Sequence, residues 1–327
     1  MKNGIKRRDS AEHVRKVTKE MVDEWARRYQ DGESLKRIAG SSVSPATVFL
    51  HLKHRGVRLR DRVQAQIRAV TKHVKKPFRG SLLERAYLKG LRCGDLHVVR
   101  HGHAIRIRVS TTHPAMIDLF RDSFSAYGPI YQYSKKSELT AYEWCLDCDL
   151  DESFEFLLDS RDELNRIMSS KDLFEAFLAG FFDAEGSIHY HRKRNGGGFE
   201  FSLTNLNENL LHRIEDALVK DGFSPKLRRV LQTPSRGVAN GGEFIFRLSL
   251  WRYQEVRRIL TKLSIRHAEK LAKRKLALSL AYRATKPERH ALIEQWVELR
   301  RRIRKERDSC IRDAEMAFLG MNTGVRA

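Results

Sequence analysis

Residues 178–188 read Leu178-Ala-Gly-Phe-Phe-Asp-Ala-Glu-Gly-Ser-Ile188, and residues 88–98 repeat the pattern more loosely as Leu88-Lys-Gly-Leu-Arg-Cys-Gly-Asp-Leu-His-Val98. Laying Gly90 on Gly180, an offset of 90 residues, brings Asp95 onto Glu185. The same shift pairs Ala86, Gly90 and Gly94 with Ala176, Gly180 and Ala184. Small residues at i, i+4 and i+8 share one helix face. Helices ordinarily pack with axes ~8–10 Å apart, and a face of Gly and Ala permits the closest backbone approach. The spacing therefore predicts two helices crossing side by side. Each acid follows the last small position at a helix carboxyl end, where the macrodipole disfavours a carboxylate. Two such ends brought together repel, and a divalent cation that favours hard oxygen ligands, such as Mg²⁺, would offset the charge. For one copy alone, a buried helix with solvent-facing acids is the competing reading. The aligned second copy argues against it.

With both motifs in view, the chain resembles the single-chain LAGLIDADG homing endonucleases over residues 81–284. The second motif departs only conservatively from the family nonapeptide. The first carries Arg92, Cys93 and Leu96 where the family has an apolar residue, Asp or Gly, and Gly. The resemblance implies an α+β fold of two pseudo-symmetric αββαββα repeats, residues 81–170 and 171–284, forming a DNA-binding saddle. It implies that Asp95 and Glu185 bind the catalytic divalent metal, Mg²⁺, with Gly94 and Ala184 beside them at the metal site. Asp183, whose counterpart is Cys93, reads as a helix-end or structural residue. The stretch Leu263-Ser-Ile-Arg-His-Ala-Glu-Lys270 is similar to the one that supplies a basic residue beside the metals, which singles out Lys270, with His267 behind it, as catalytic. An exposed helical Lys is the alternative, and the first half offers no equivalent. The family cuts both DNA strands across the minor groove, leaves 3′ overhangs and spreads the intron that encodes it.

The residues after each motif support the repeat. In His103–Ser110 the apolar Ile105, Ile107 and Val109 alternate with Arg106 and Arg108, which predicts a half-buried strand with a cationic outer face. In Phe199–Thr204 the apolar Phe199, Phe201 and Leu203 alternate with Glu200 and Ser202. Helices follow around Pro114–Ala126 and Glu208–Lys220, ending in the turn signals Tyr127-Gly128-Pro129 and Asp221-Gly222-Phe223. Second strand pairs are expected at 128–133 with 141–147, and at 224–231 with 242–250. A two-stranded ribbon fits the DNA major groove, and Arg suits bidentate contact with guanine. Candidate readers are Arg106, Arg108, Glu200, Ser202, Arg228 and Arg247, with His189, His191, Arg192, Lys193 and Arg194 at the hairpin rim. For any one of them a solvated face or a phosphate contact is the competing reading.

Sixty-three Lys and Arg against 41 Asp and Glu give a formal charge of +22. The pI is near 10.1, so phosphate, here double-stranded DNA, is the expected partner. The 327 residues allow two or three domains. No stretch approaches the ~20 apolar residues of a membrane span. The start, Met-Lys-Asn-Gly-Ile-Lys-Arg-Arg, has no apolar signal core, which points to a cytoplasmic, nucleoid-associated protein, and the two-repeat resemblance implies a monomer with internal pseudo-two-fold symmetry. Four cysteines suit a reducing compartment. Cys145 and Cys148 form a C-x-x-C on a predicted strand; without two further ligands nearby, a structural role is favoured over zinc.

Residues 18–60 carry a second nucleic-acid signal. A helix over about 19–29 precedes Ser34–Ala39, and Ser44-Pro45 opens another helix with an N-cap serine and a proline at the first position. Val48 and Leu52 face the core, Thr47, His51 and Lys53 stay available outside, and Gly56 ends the helix. The segment resembles a resolvase-like helix-turn-helix, an all-α DNA-binding domain; a plain helical hairpin is the alternative. Residues 1–17 read as a basic flexible start. In the linker, residues 61–80, the basic Arg62, Arg68, Lys72, Lys75, Lys76 and Arg79, continuing from Arg58 and Arg60, face one acid, Asp61. Residues 285–327 form a charged helical extension with an apolar stripe of Leu292, Trp296, Leu299 and Ile303. Two further functions share the resembled scaffold: a regulator that binds DNA without cutting it, and an intron RNA maturase.

Overall fold

The computed structural model describes residues 17–61, 75–136, 142–158, 161–193, 196–231 and 244–323. Chain contacts divide it into two units, residues 1–74 and 75–327. In the first, α1 (Lys19–Gln30), α2 (Leu35–Ala39) and α3 (Pro45–His54) each begin at a hydroxyl residue, Thr18, Ser34 or Ser44, whose oxygen accepts from a first-turn N–H. Such capping satisfies donors that the helix itself leaves unpaired. Trp25, Tyr29, Ile38, Val48 and Leu52 form the core. Lys53 is exposed, Thr47 and His51 are half-buried, and the His51 ring lies 6.1 Å from that of Trp25. Of the basic linker, Arg62, Arg68 and Lys72 lie outside the described residues.

The second unit opens with α4 (Leu82–Cys93), where the Ser81 hydroxyl accepts from the Glu84 N–H at 3.1 Å. It continues through β1 (His97–His101), β2 (Ala104–Thr111), α5 (Pro114–Phe124), β3 (Ile130–Lys135) and β4 (Glu143–Leu150). A 3-10 turn (Glu152–Leu157) and α6 (Arg161–Ser169) lead to the second repeat. There α7 (Lys171–Glu185) runs directly into β5 (Gly186–Lys193), followed by β6 (Gly196–Asn205), α8 (Glu208–Lys220), β7 (Lys226–Leu231), β8 (Phe244–Leu250) and α9 (Tyr253–Lys262). The chain ends in α10 (Ala268–Ser279) and α11 (Lys286–Thr323). The sheets have the same topology, β1-β2-β4-β3 and β5-β6-β8-β7, with all neighbours antiparallel. Two αββαββα repeats therefore make up the fold.

The seam between the repeats is α4 against α7. A methyl group built on Gly90 would sit 2.0 Å from the Phe177 carbonyl oxygen, and one on Gly180 would sit 1.9 Å from that of Tyr87. Backbone thus meets backbone, as the small face requires. Around this crossing one apolar core runs through both halves, taking Leu88, Leu91 and Phe120 from the first and Phe177, Phe181 and Phe201 from the second. The last helix, α11, touches both repeats: Trp296 packs edge-on against Phe199 of β6, and Phe318 lies 5.4 Å from Tyr142 beside β4.

Cys145 and Cys148 fall on β4, and all four cysteines are free thiols. A spacing of three on a strand sends the two side chains to opposite faces. Cys145 lies by the Ser110 hydroxyl while Cys148 is in the core, so the pair cannot share a metal. β1 is a short strand tied to β2 through Gly102 at φ +59°.

Candidate active site

The small-residue seam delivers the acids. Gly94 caps α4, and a methyl group there would lie 2.3 Å from the Ala184 Cβ and 2.9 Å from the Glu185 Cγ. Asp95, one residue on, opens onto a cavity of about 420 Å³ lined also by Thr111, His113, Ala184, Glu269 and Lys270. Protein packed around this recess pushes the Asp95 carboxyl up, and the positive charges of Lys270 and His113 pull it part of the way back. Glu185 is half-buried and accepts from Asn205 Nδ2 at 2.9 Å. Burial and the Asp95 charge together push its pKa up to about 7, against the Asn205 hydrogen bond and the Lys270 charge. The two acids are therefore close enough to feel each other's charge.

Lys270 ends elsewhere than expected. It is buried, and its ammonium donates to the carbonyls of Phe182, Asp183 and Ala184 at 2.7, 2.6 and 2.8 Å. Its three protons thus satisfy the open carboxyl end of α7 and offset the negative end of that helix's dipole. This corrects the expectation of a cation free to touch a phosphate. Burial lowers its pKa to about 8 although the carboxylates of Asp183, Asp95 and Glu185 favour the charged form. His267 behind it is buried and, through that burial, held neutral with a pKa of about 3. Asp183 is fully buried and accepts from the Tyr87 hydroxyl and the Arg266 N–H, both at 2.7 Å, so it pins the helix end.

Asp95 makes no hydrogen bond or ion pair among the described residues, and Glu185 has one oxygen on Asn205. Two carboxylates plus the Gly94 carbonyl make a hard-oxygen donor set, which fits a cation such as Mg²⁺ that keeps several of its own waters. The Ala184 carbonyl already accepts from Lys270, which weakens it as a metal ligand. No cluster of three or more His, Cys, Asp or Glu side chains suited to a metal occurs among the described residues.

The outward faces of the two sheets differ. Arg106 and Arg108 each form a two-pronged ion pair across to β4, with Asp149 at 2.8 and 3.0 Å and with Asp147 at 2.6 and 2.8 Å. The expected cationic face of β2 is an Arg–Asp ladder. Glu200 and Ser202 are buried, not outward readers: Glu200 accepts from Ser249 Oγ at 2.6 Å and pairs with His191, and Ser202 donates to the Ser187 carbonyl. In β7 and β8, by contrast, Arg228 stands opposite Arg247, and neither has an ion pair among the described residues. His189 is at the exposed edge of β5. Arg192 and Lys193 are described in backbone only, and Arg194 lies outside the described residues. Sequence reasoning missed Asn205, Asp147, Asp149, and the pairing of His113 Nδ1 with Glu269 at 2.8 Å.

Glu185 has a testable pH signature. Its folded pKa of about 7 exceeds the ordinary 4.5, so between these values the folded chain holds a proton that the unfolded chain has released. Stability from this group is then lost as pH rises through that window. Without divalent cations, the wild-type Tm is expected to fall between about pH 5 and about pH 7, and Glu185→Gln to flatten that slope. Thermal melts across that range check it; identical slopes in both proteins would contradict the buried-acid assignment. Lys270, with its pKa lowered, acts in a separate window above about 8.

The family model for a LAGLIDADG-like domain matches residues 172–271. No curated protein matches the chain. Similar solved structures include mesophilic variants of the homing endonuclease I-DmoI, at 17% identity over 56% of this chain and 92% of that one, with a TM-score of 0.37. A K262A mutant of I-SmaMI is similar at 12% identity over 66% and 96%, with a TM-score of 0.38. Full-length DUF199/WhiA from Thermatoga maritima is similar at 13% identity over 74% and 94%, with a TM-score of 0.40. The segment from α7 and its acid Glu185 to the lysine that closes it, within residues 172–271, is thus the part of this chain that matches a LAGLIDADG-like domain.

Proposed function

We propose that this protein is a DNA endonuclease that hydrolyses phosphodiester bonds in both strands of a long, asymmetric target with the help of Mg²⁺. One observation carries the reading: two unlike repeats each bring one acid to the α4–α7 seam, where surrounding protein raises both pKa values and the charge of Asp95, which lines the recess, raises that of Glu185 further. Placing like charges together costs stability, and such perturbed groups in a cleft mark functional sites. Asp95, Glu185 and the Gly94 carbonyl would hold the cation, which when bound supplies Lewis-acid polarisation and lowers the pKa of water. The protein's own part is positional. Lys270 fixes the end of α7, and Asn205 orients Glu185.

The charge of +22 and the unpaired Arg228–Arg247 face supply the attraction for the phosphate backbone. Arg106 and Arg108 suit the reading less directly, since engaging a base means leaving Asp149 and Asp147. The three-helix unit with Thr47, His51 and Lys53 on α3 fits a helix-turn-helix that adds DNA contacts of its own. Incubation of the full-length protein with a randomised duplex library tests the reading. Double-strand cutting that appears with Mg²⁺ and stops with a chelator is expected; tight DNA or intron-RNA binding without cutting would favour a regulator or a maturase.

A further inference from the structure

His113 sits at the N-cap of α5, where its side chain makes no cap hydrogen bond. It lines the same cavity as Asp95 and is close enough to lower that acid's pKa. Its Nδ1 is 2.8 Å from Glu269 Oε1, and its Nε2 has no partner among the described residues. Glu269 itself is buried, and although burial opposes its charge, the hydrogen bond and charge of His113 win and hold it ionised. An ionised carboxylate only accepts, so Nδ1–H donates, and in the neutral imidazole the lone pair then lies on Nε2. A buried carboxylate that fixes one imidazole nitrogen and leaves the other as a base is the geometry that orients a general base. Consecutive residues of α10 serve the two halves differently: Glu269 reaches His113 of the first repeat, and Lys270 reaches α7 of the second. The position matching His113 before α8 is Asn207, which caps its helix through its own side chain. The imidazole therefore belongs to one half only.

We propose that His113 is the general base of the half-site built on Asp95, taking a proton from the water that attacks the phosphodiester bond there. This deepens the nuclease reading above and rests on it. The water oxygen forms a bond to phosphorus, its proton passes to Nε2, and the bond from phosphorus to the departing sugar oxygen breaks. That oxygen leaves with the electron pair and takes a proton from solvent. No electron transfer is involved.

The test uses the full-length protein, Mg²⁺ and a duplex chosen from the randomised library, with a different fluorophore on each strand. His113→Ala is expected to slow one strand by about 10²–10⁴-fold while leaving the other near the wild-type rate, so that nicked duplex accumulates. Added imidazole should restore the slow strand, which a merely structural loss would not allow. Glu269→Gln should slow the same strand by offering Nδ1 a donor and favouring the wrong tautomer. Independently of activity, nitrogen-15 histidine spectra should show His113 protonated on Nδ1 in the wild type and redistributed in Glu269→Gln. Equal cutting of both strands by His113→Ala, or equal loss without imidazole rescue, would overturn the proposal and leave the nuclease reading standing. A wild type that cuts neither strand would remove both.

Discussion

The double variant Asp95→Asn, Glu185→Gln is expected to lose cutting of both strands by on the order of 10³-fold or more while melting at a higher temperature than the wild type. The loss follows because the amides keep the shape of the acids but not the charge that would hold a cation, and several kcal/mol of charge stabilisation amounts to about 10³-fold in rate. The gain follows from the same geometry. Protein packed around both carboxyl groups raises their pKa values, that of Glu185 partly because of Asp95. Neutral amides remove that repulsion. Asn205 Nδ2 can go on donating to the amide oxygen of Gln at position 185 while its own Oδ1 keeps the Asn207 N–H, so the existing hydrogen bonds of Asn205 survive. Acids with a structural role would behave oppositely, losing stability along with their ion pairs. Activity falling while stability rises is the signature of groups kept for function at a cost to the fold. Strand-resolved cleavage assays and thermal melts on one preparation decide it: cutting retained by the double variant would show that these acids are not the site.

Much of this arrangement could be read from the chain, because period and spacing are local properties. The i, i+4, i+8 run of Gly and Ala gave the α4–α7 crossing, and the alternation in β2 and β6 gave their buried faces. Proline at the first position located α3 and α5, and the turn at Asp221-Gly222 located the end of α8. What could not be read is what lies across from a residue. Arg106 and Arg108 do point outward, but their partners Asp149 and Asp147 lie on a strand paired through the sheet register. Glu200 and Ser202 have outward parity yet are buried, because Ser249 and His191 close over Glu200 and Trp251 stacks by His191. His113 and Glu269 are 156 positions apart and share no pattern that a sequence period could reveal. β1 was not delimited because only Val98 of its five residues is buried, which leaves no alternation to find.

A single methyl group at the seam is expected to cost more than any other change of its size. In a helix interior, Gly→Ala ordinarily gains about 1 kcal/mol, chiefly because the unfolded alanine chain has less backbone entropy to lose. At Gly180 the sign reverses. The new Cβ would lie 1.9 Å from the Tyr87 carbonyl oxygen, 2.8 Å from its carbon and 3.0 Å from the Leu91 nitrogen. These are backbone atoms of a second helix, so no side chain can swing aside and the two axes must part. Overpacking usually costs ~1–3 kcal/mol. Here separation also opens contacts among Leu88, Leu91, Phe177 and Phe181, which are buried in the core that joins the repeats. A loss of ~4 kcal/mol or more is expected, a large share of the ~5–15 kcal/mol that holds a typical protein folded. At roughly 2–4 °C per kcal/mol for a unit of this size, Tm should drop by about 10 °C or more. Gly198→Ala is the matched control, since nothing lies within 4 Å of its added methyl and its effect should stay within about 0.5 kcal/mol. Gly94→Ala probes the same seam at the site itself, where the methyl would press on Ala184 and Glu185 and drive the acids apart. If Gly180→Ala and Gly198→Ala melt alike, the two helices do not cross at their small faces, and the crossing that brings Asp95 within reach of Glu185's charge is lost.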